Sequence, residues 1–573
     1  MVPATSLWNE RRVRMVARKT SDVLQCQILW DRLIAIVEEQ ALTLQRTAFS
    51  SIVRESGDLA AGFFDAQGRM LAQAVTGTPG HINSMALAVG HVISAFPTDH
   101  MEPGDVYLHN DPWLGTGHTN DFSVTTPFFK NGVLVGLFAC NSHIMDIGGL
   151  PNLTGSTDVF MEGLYLPIIR LAHKGVLDEN VMSIIRANTR LPIETEGDVH
   201  SLIAANLVGS ARLLEAMDEF GIDDVEHVAD YIISTSEDAF LDVIRDLPKG
   251  SWTSDIYLDG FDTPIKLVAE LTISDHEIRV DYTGSSSSIG QNINVPLCYT
   301  AAYTSYAIGC ILASEIPNNH GSLAPRKIAA PLGSILNAKK PAAVAARHIV
   351  GLMIPDLVFG CLRQVIPERV PAEGAGVLWS ISASGGWGSL DQGSESFLVN
   401  VVTTGGMGAL PYRDGQSATG FPSGVRNGPI EIFEAMSTLV CWKKEYRQDS
   451  GGAGKHRGGL GQHIEITNLL HEPFYFVAAY ERMKYPARGI QGGKDGLPGT
   501  LALDSGQVFT GKGRFEIPAG ARVIVCSPGG GGFGDPKFRD PNLIAEDILC
   551  EKVSKDAAEK CYRLDVTAKA SAQ

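Results

Sequence analysis

An Asn131-Gly132 dipeptide joins two apolar, β-prone runs, Phe122 to Phe129 and Val133 to Cys140. The tightest hairpin turn needs positive φ at both central residues, which Asn and Gly tolerate best, so this stretch dictates an antiparallel hairpin and with it which residues face one another. Counting outward from the turn, Asp121 falls within one residue of facing His143, and His118 within one residue of facing Asp146. Two His-x-x-Asp pairs are thereby mirrored about a single turn, and folding the hairpin gathers their side chains. Residues three apart on a strand point to opposite faces, so either His118 or Asp121 must lie in the loop ahead of the strand. Gly115-Thr116-Gly117 suits such an irregular approach.

Imidazole combined with carboxylate is a donor set for Zn, Mn or Fe, and a metal with an open position acidifies a bound water toward neutral pKa. An isolated His-x-x-Asp is more often a capped turn, whereas the mirrored arrangement favours a metal. His81, in Gly80-His81-Ile82-Asn83-Ser84-Met85, is the outlying histidine best suited to join as ligand or proton-transfer group, and Asp58 and Asp111 come from neighbouring polar segments. His320 and His348 read as structural. Other chemistry is poorly served: the chain has no Gly-x-Ser-x-Gly elbow, and no cysteine stands in a histidine-rich or basic stretch. Gly451 to Gly459 is not a phosphate-binding loop of the Walker type, because Asp449 stands where its first glycine belongs and His456 follows Lys455. It reads as a turn tied by a salt bridge, rather than a loop in which Lys455 and Arg457 steer an anion. Gly405 to Gly408 and Ser527 to Pro536 read as loops packed close against other backbone.

Composition sets the frame. With 573 residues, 44% of them hydrophobic, the chain can bury several cores, as units of ~150 residues each. The 61 glycines gather in the second half, which implies sharp turns and close backbone approach. The net charge of −17 and scattered basic residues argue against nucleic acid and anionic membrane as partners. No apolar run approaches the ~18 residues that a membrane span needs, and the charges from Glu10 to Arg14 precede no secretory leader. Nine cysteines without CxxC spacing read as reduced thiols, so the expected location is the cytoplasm.

The fold class expected is α+β, a multi-domain mixed fold with antiparallel, Gly-rich β regions and one helical segment. Its boundaries are an N-terminal extension at 1–20, a metal-site α+β region at 21–173, a helical region at 174–250, a β-rich region with Gly-rich loops at 251–540, and a C-terminal helix and tail at 541–573. Within these, Ser21 to Leu44 fits an amphipathic helix, His200 to Phe220 and Asp223 to Leu247 an antiparallel helix pair, and 296 to 313 a buried helix.

Several segments together resemble one family, the hydantoinase B/oxoprolinase group of subunits of ATP-dependent hydantoinases, lactamases and acetone or acetophenone carboxylases. They are Arg54 to Asp58, His81 to Met85, Asn110-Asp111-Pro112 leading to His118 and Asp121, His143 to Gly149, Gly197-Asp198, Asn292 to Asn294, Asp449 to Gly461 and Pro528 to Pro536. The resemblance runs from about Ser21 to Pro541. It implies metal ligation by His118, Asp121 and His143, with Asp58 as fourth ligand, zinc or manganese as the metal, and His81 and Asp146 as proton-transfer groups. It also implies a hydantoinase A-type ATPase subunit as partner in a hetero-oligomer, with ATP bound by that partner and not by this chain. The partner would phosphorylate the substrate's oxygen, and this chain would complete the opening of a hydantoin, 5-oxoproline or lactam ring. The chain has the length of hydantoinase and lactamase subunits, which favours cyclic amides. The alternatives are a subunit of a ketone carboxylase and a non-catalytic scaffold for the ATPase.

Overall fold

A computed structural model describes residues 20–150, 155–385, 397–470 and 472–562. The first sheet contains β1 (Leu59–Asp65), β2 (Met70–Gln73), β3 (Val106–His109), β4 (Asp121–Lys130), β5 (Val133–His143), β6 (Ile169–His173) and β7 (Val176–Leu177), all antiparallel, in the order β2-β1-β5-β4-β3-β6-β7. At its centre is the Asn131-Gly132 hairpin, with φ of 52° and 78° at the two turn residues. Beside the turn Lys130 pairs with Val133 and Phe129 with Leu134; a bulge follows, after which Phe128 pairs with Gly136 and Asp121 with His143. A ladder without the bulge would have set Asp121 against Ser142. The extra residue, Val135, supplies the single-residue shift that sets Asp121 opposite His143.

Helices cover both faces. On one lie α1 (Thr20–Thr47) and, later in the chain, a helix over Pro192–Phe220. Trp30, Leu33 and Val37 of α1 pack with Phe63 and Phe138 of the sheet and with Leu213 and Met217; burial of each such side chain contributes about 1.5–3 kcal/mol. Gln40 crosses this layer, donating to Ala139 O and Asn206 Oδ1, while Asn206 donates to Val124 O and Phe138 O. On the other face lies α2 (Pro79–Ala95), with Ile82, Met85 and Val89 on Phe64, Tyr107 and Leu137. The expected antiparallel pair is corrected. The 192–220 helix, hereafter α3, packs mainly on α1, whereas α4 (Glu226–Arg245) packs on the short helix His320–Leu323 and, less, on α1, so the two do not form a pair of their own. The buried helix expected at 296–313 is α5 (Leu297–Leu312), set against α2.

The alternating segments after Gly250 form a second sheet, with β8 (Gly250–Leu258), β9 (Ile265–Ile273) and β10 (Ile278–Asp281) antiparallel and β11 (Arg326–Ala329) added in parallel to β10. Two further four-stranded sheets face each other. One contains β12 (Ile381–Gly385), β13 (Phe397–Val401), β16 (Phe474–Ala479) and β18 (Lys512–Ile517); the other β14 (Leu439–Tyr446), β15 (Gln462–Asn468), β17 (Thr500–Leu503) and β19 (Val523–Cys526). Ile381, Val399 and Phe476 meet Ile464, Leu501 and Val525 between them. Their outer face corrects one expectation: Cys526 does have a histidine beside it, because β15 and β19 set its Sγ 3.5 Å from His463 Nδ1. Neighbours on adjacent strands are distant in sequence.

The glycine-rich segments pack against one another as bare backbone. Gly530 donates to Gly459 O and accepts from Gly452 N, and a Cβ on it would lie 2.0 Å from Met407 O. Arg457 is buried on Asp547, Nε to Oδ2 3.2 Å, in a network with Arg539 and Asp414, which gives the 451–459 loop its structural role. Among the described residues no helix is long and apolar enough to cross a membrane.

Candidate metal centre

β4 begins at Asp121 and β5 ends at His143, so both side chains stand at one end of the central sheet. His118 is in the preceding loop, as the strand geometry requires. There Gly117 has φ +92°, and a Cβ on it would come within 2.9 Å of Arg347 and 3.0 Å of Tyr299. Asp58 arrives just before β1, and His81 from the first turn of α2. These elements converge on Asp121. His118 Nε2 lies 2.7 Å from its Oδ1, His143 Nδ1 3.2 Å from the same oxygen, and His81 Nε2 2.8 Å from Oδ2. Asp58 closes the ring, with Oδ1 3.4 Å from His81 Nδ1 and Oδ2 4.0 Å from His143 Nδ1. Thr78 Oγ1 donates to Asp58 at 2.9 Å.

Protonation follows from these contacts. His118 Nδ1 is 3.1 Å from Ala345 O; a carbonyl only accepts, so Nδ1 carries the proton and Nε2 presents a lone pair. Burial first, then Arg347, pushes the His118 ring down to about 4, which keeps it neutral. Asp121 is fully buried, which alone would raise its pKa, but His118, His81 and Arg347 hold it well below the usual carboxylate range. Burial opposes charge on His81, yet Asp121 and Asp58 outweigh it and raise the ring's pKa. Both His118 Nε2 and His81 Nδ1 are buried without a directed hydrogen bond, despite carboxylate oxygens at 2.7 and 3.4 Å. Among the described residues His81, His118 and Asp121 present donor atoms within 4.8 Å of one another. Imidazole nitrogens and carboxylate oxygens crowded together, with His118 Nε2 and His81 Nδ1 left without a directed hydrogen bond, are the donor set of a divalent cation, and the residues present fit one.

Asp146 stands apart from this cluster. The ladder ends at His143, so no strand pairing reaches Asp146 and His118. Its carboxylate instead accepts from Gly148 N, Thr189 Oγ1 and Arg190, the last at 2.6 Å from Nη1 and also through the backbone N–H. With its oxygens taken up in this way it is not free to act as a base. Asp111 is likewise occupied, by Tyr165 and Lys340.

The centre opens onto a cleft of about 770 Å³, counting the part open to solvent. Asp58, His81, His118 and His143 form one wall, while Leu378, Ser380, Ser382, Asn400, Val402 and Val477, from around β12, β13 and β16, form the other. Sequence reasoning missed two further participants. Arg347 is buried, donates to Asp121 Oδ2 at 3.0 Å and Thr116 O at 2.7 Å, and lies 4.1 Å over the Tyr299 ring. His348, read as structural, lines the same cleft, where burial and the Arg347 charge push it down to about 3. A lone Arg-His dipeptide far from the hairpin carries no signal of either role.

The sequence pattern of the hydantoinase B/oxoprolinase family matches residues 22–536. The chain belongs to that family. It is 29% identical over 578 residues to a putative D-/L-hydantoinase component of a Pseudomonas species, covering 96% of each chain. The crystal structure of the ATP-dependent caprolactamase from Pseudomonas jessenii superposes with a TM-score of 0.87 at 27% identity, covering 95% of this chain and 96% of that one. A nucleotide-free acetone carboxylase shares the fold, with a TM-score of 0.84 at 20% identity, covering 96% of this chain and 80% of that one. The family expected from the motifs and the mixed α+β architecture both hold.

Proposed function

We propose that this chain is the metal-bearing subunit of an ATP-dependent hydrolase of cyclic amides, acting on a hydantoin, 5-oxoproline or lactam phosphorylated by a hydantoinase A-type ATPase partner. The observation that carries the reading is the buried His/Asp cluster facing a largely apolar cleft. A divalent cation, zinc or manganese, held by His118, Asp121 and His143 with Asp58 as fourth donor, supplies Lewis acidity and lowers the pKa of water. An amide carbon is a poor electrophile until its oxygen is phosphorylated, which accounts for a division of labour between two subunits.

The chain's own residues do the rest. Ala345 O fixes the His118 tautomer, and Arg347 balances Asp121. His81, between Asp58 and Asp121, moves a proton from the water that adds to the phosphorylated ring carbon to the ring nitrogen as the carbon–nitrogen bond breaks, and a second water then splits the resulting acyl phosphate into carboxylate and free phosphate. Leu378, Val402 and Val477 face the carbon edge of the ring and exclude bulk water, while Ser380, Ser382 and Asn400 offer its amide groups hydrogen bonds.

The test is phosphate release by the chain co-purified with its ATPase partner, offered hydantoins, 5-oxoproline, lactams and ketones, with and without bicarbonate. Turnover of a cyclic amide is expected. Turnover of ketones alone, and only with bicarbonate, would replace this reading with carboxylation.

A further inference from the structure

Glu162 lies outside the centre, buried at 6% exposure in the segment after the hairpin. One of its oxygens, Oε1, accepts from Ser156 Oγ at 2.9 Å and from the backbone N–H groups of Val344 and Ala345, both at 2.8 Å. The same stretch is tied to the other by Val159 N to Pro341 O and by the Asp158–Ala342 bridge. It is tied back to the hairpin's exit by Leu164 N to Ile147 O. The residues that Glu162 holds are the ones the centre depends on. Ala345 O receives the His118 Nδ1 proton, and Arg347, whose N–H bonds to Val344 O, places its guanidinium on Asp121 and Thr116.

We propose that Glu162 is a positioning residue for the metal centre: its carboxylate fixes the 344–345 backbone, and through it both the His118 tautomer and the Arg347 contact with Asp121. This rests on the metal reading above. The centre's ligands come from the first 143 residues, whereas the groups that orient them come from around 345–347, and a free loop could not hold a carbonyl to hydrogen-bond precision. Two backbone donors converging on one buried oxygen supply that restraint, and partners of this kind around a ligating histidine typically set metal affinity by ~10–100-fold.

Full-length E162A and E162Q, compared with wild type, separate the restraint from the charge, since the glutamine Oε1 can still accept from both N–H groups. Hydrogen exchange by mass spectrometry over 338–347 reads the restraint, and a spectroscopic Co²⁺ titration reads its consequence. In E162A, exchange is expected to speed at least ~10-fold and Co²⁺ affinity to fall ~10–100-fold, with E162Q close to wild type in both. An E162A protein unchanged in exchange and affinity, or an E162Q protein as impaired as E162A, overturns the proposal. Wild type that takes up no Co²⁺ overturns the metal reading instead, and the exchange measurement still decides Glu162.

Discussion

Asp121 keeps its charge at 1% exposure because Arg347 donates to it and His81 stands against it. Replacement with asparagine preserves volume and removes the anion, leaving Arg347 buried opposite a neutral amide. Loss of one partner of a buried ion pair costs about 3–5 kcal/mol. D121N is therefore expected to lower the denaturant midpoint markedly as well as to lose metal, while H118A, which strands no charge, loses metal with a smaller stability loss. Equal stability losses in the two variants would contradict this account of Asp121.

The hairpin is the element most open to reading from sequence, because an Asn-Gly turn and two apolar runs fix strand pairing locally. The bulge at Val135 was hidden: helices cover both faces of this sheet, so β5 is buried along its length in either register, and the choice is made by pairing to β1, where Leu59 meets Ser142 and Asp65 meets Gly136. Asp146 was misassigned for a related reason, since counting outward from the turn continues past the end of the strand, where Arg190 captures the carboxylate. The 156–162 segment carries a pH dependence of its own. Burial pushes the Glu162 carboxyl up to about 7 against hydrogen bonds that pull it down. A folded value above the unfolded one means that the stability tied to the proton is full below about pH 4.3 and is lost as pH rises through the folded value. E162Q does not ionise, so its thermal midpoint is expected to gain on wild type between pH 5 and pH 8. A difference that stays constant or shrinks over that range contradicts the assignment.

Across the whole molecule, the sequence announced the first half of the site and concealed the second. His118, Asp121 and His143 are gathered by one turn, whereas Arg347, His348, Ser382 and Asn400 reach the cleft only through packing between sheets, which no local pattern records. The glycine-rich loops could be read as close backbone approach but not as a single assembly. Gly530→Ala, which sets a methyl 2.0 Å from Met407 O, is expected to abolish soluble expression, and normal yield with an unchanged thermal midpoint would show that the bundle tolerates side chains. The metal content of the purified full-length chain, measured by elemental analysis for wild type and H118A side by side, decides whether His118 and its neighbours hold a metal ion. Close to one zinc or manganese per wild-type chain is expected, and under about a tenth of that in a folded H118A protein, a loss of tenfold or more for a missing ligand. A folded wild-type chain that takes up neither metal, or an H118A chain that keeps its full complement, would contradict that expectation.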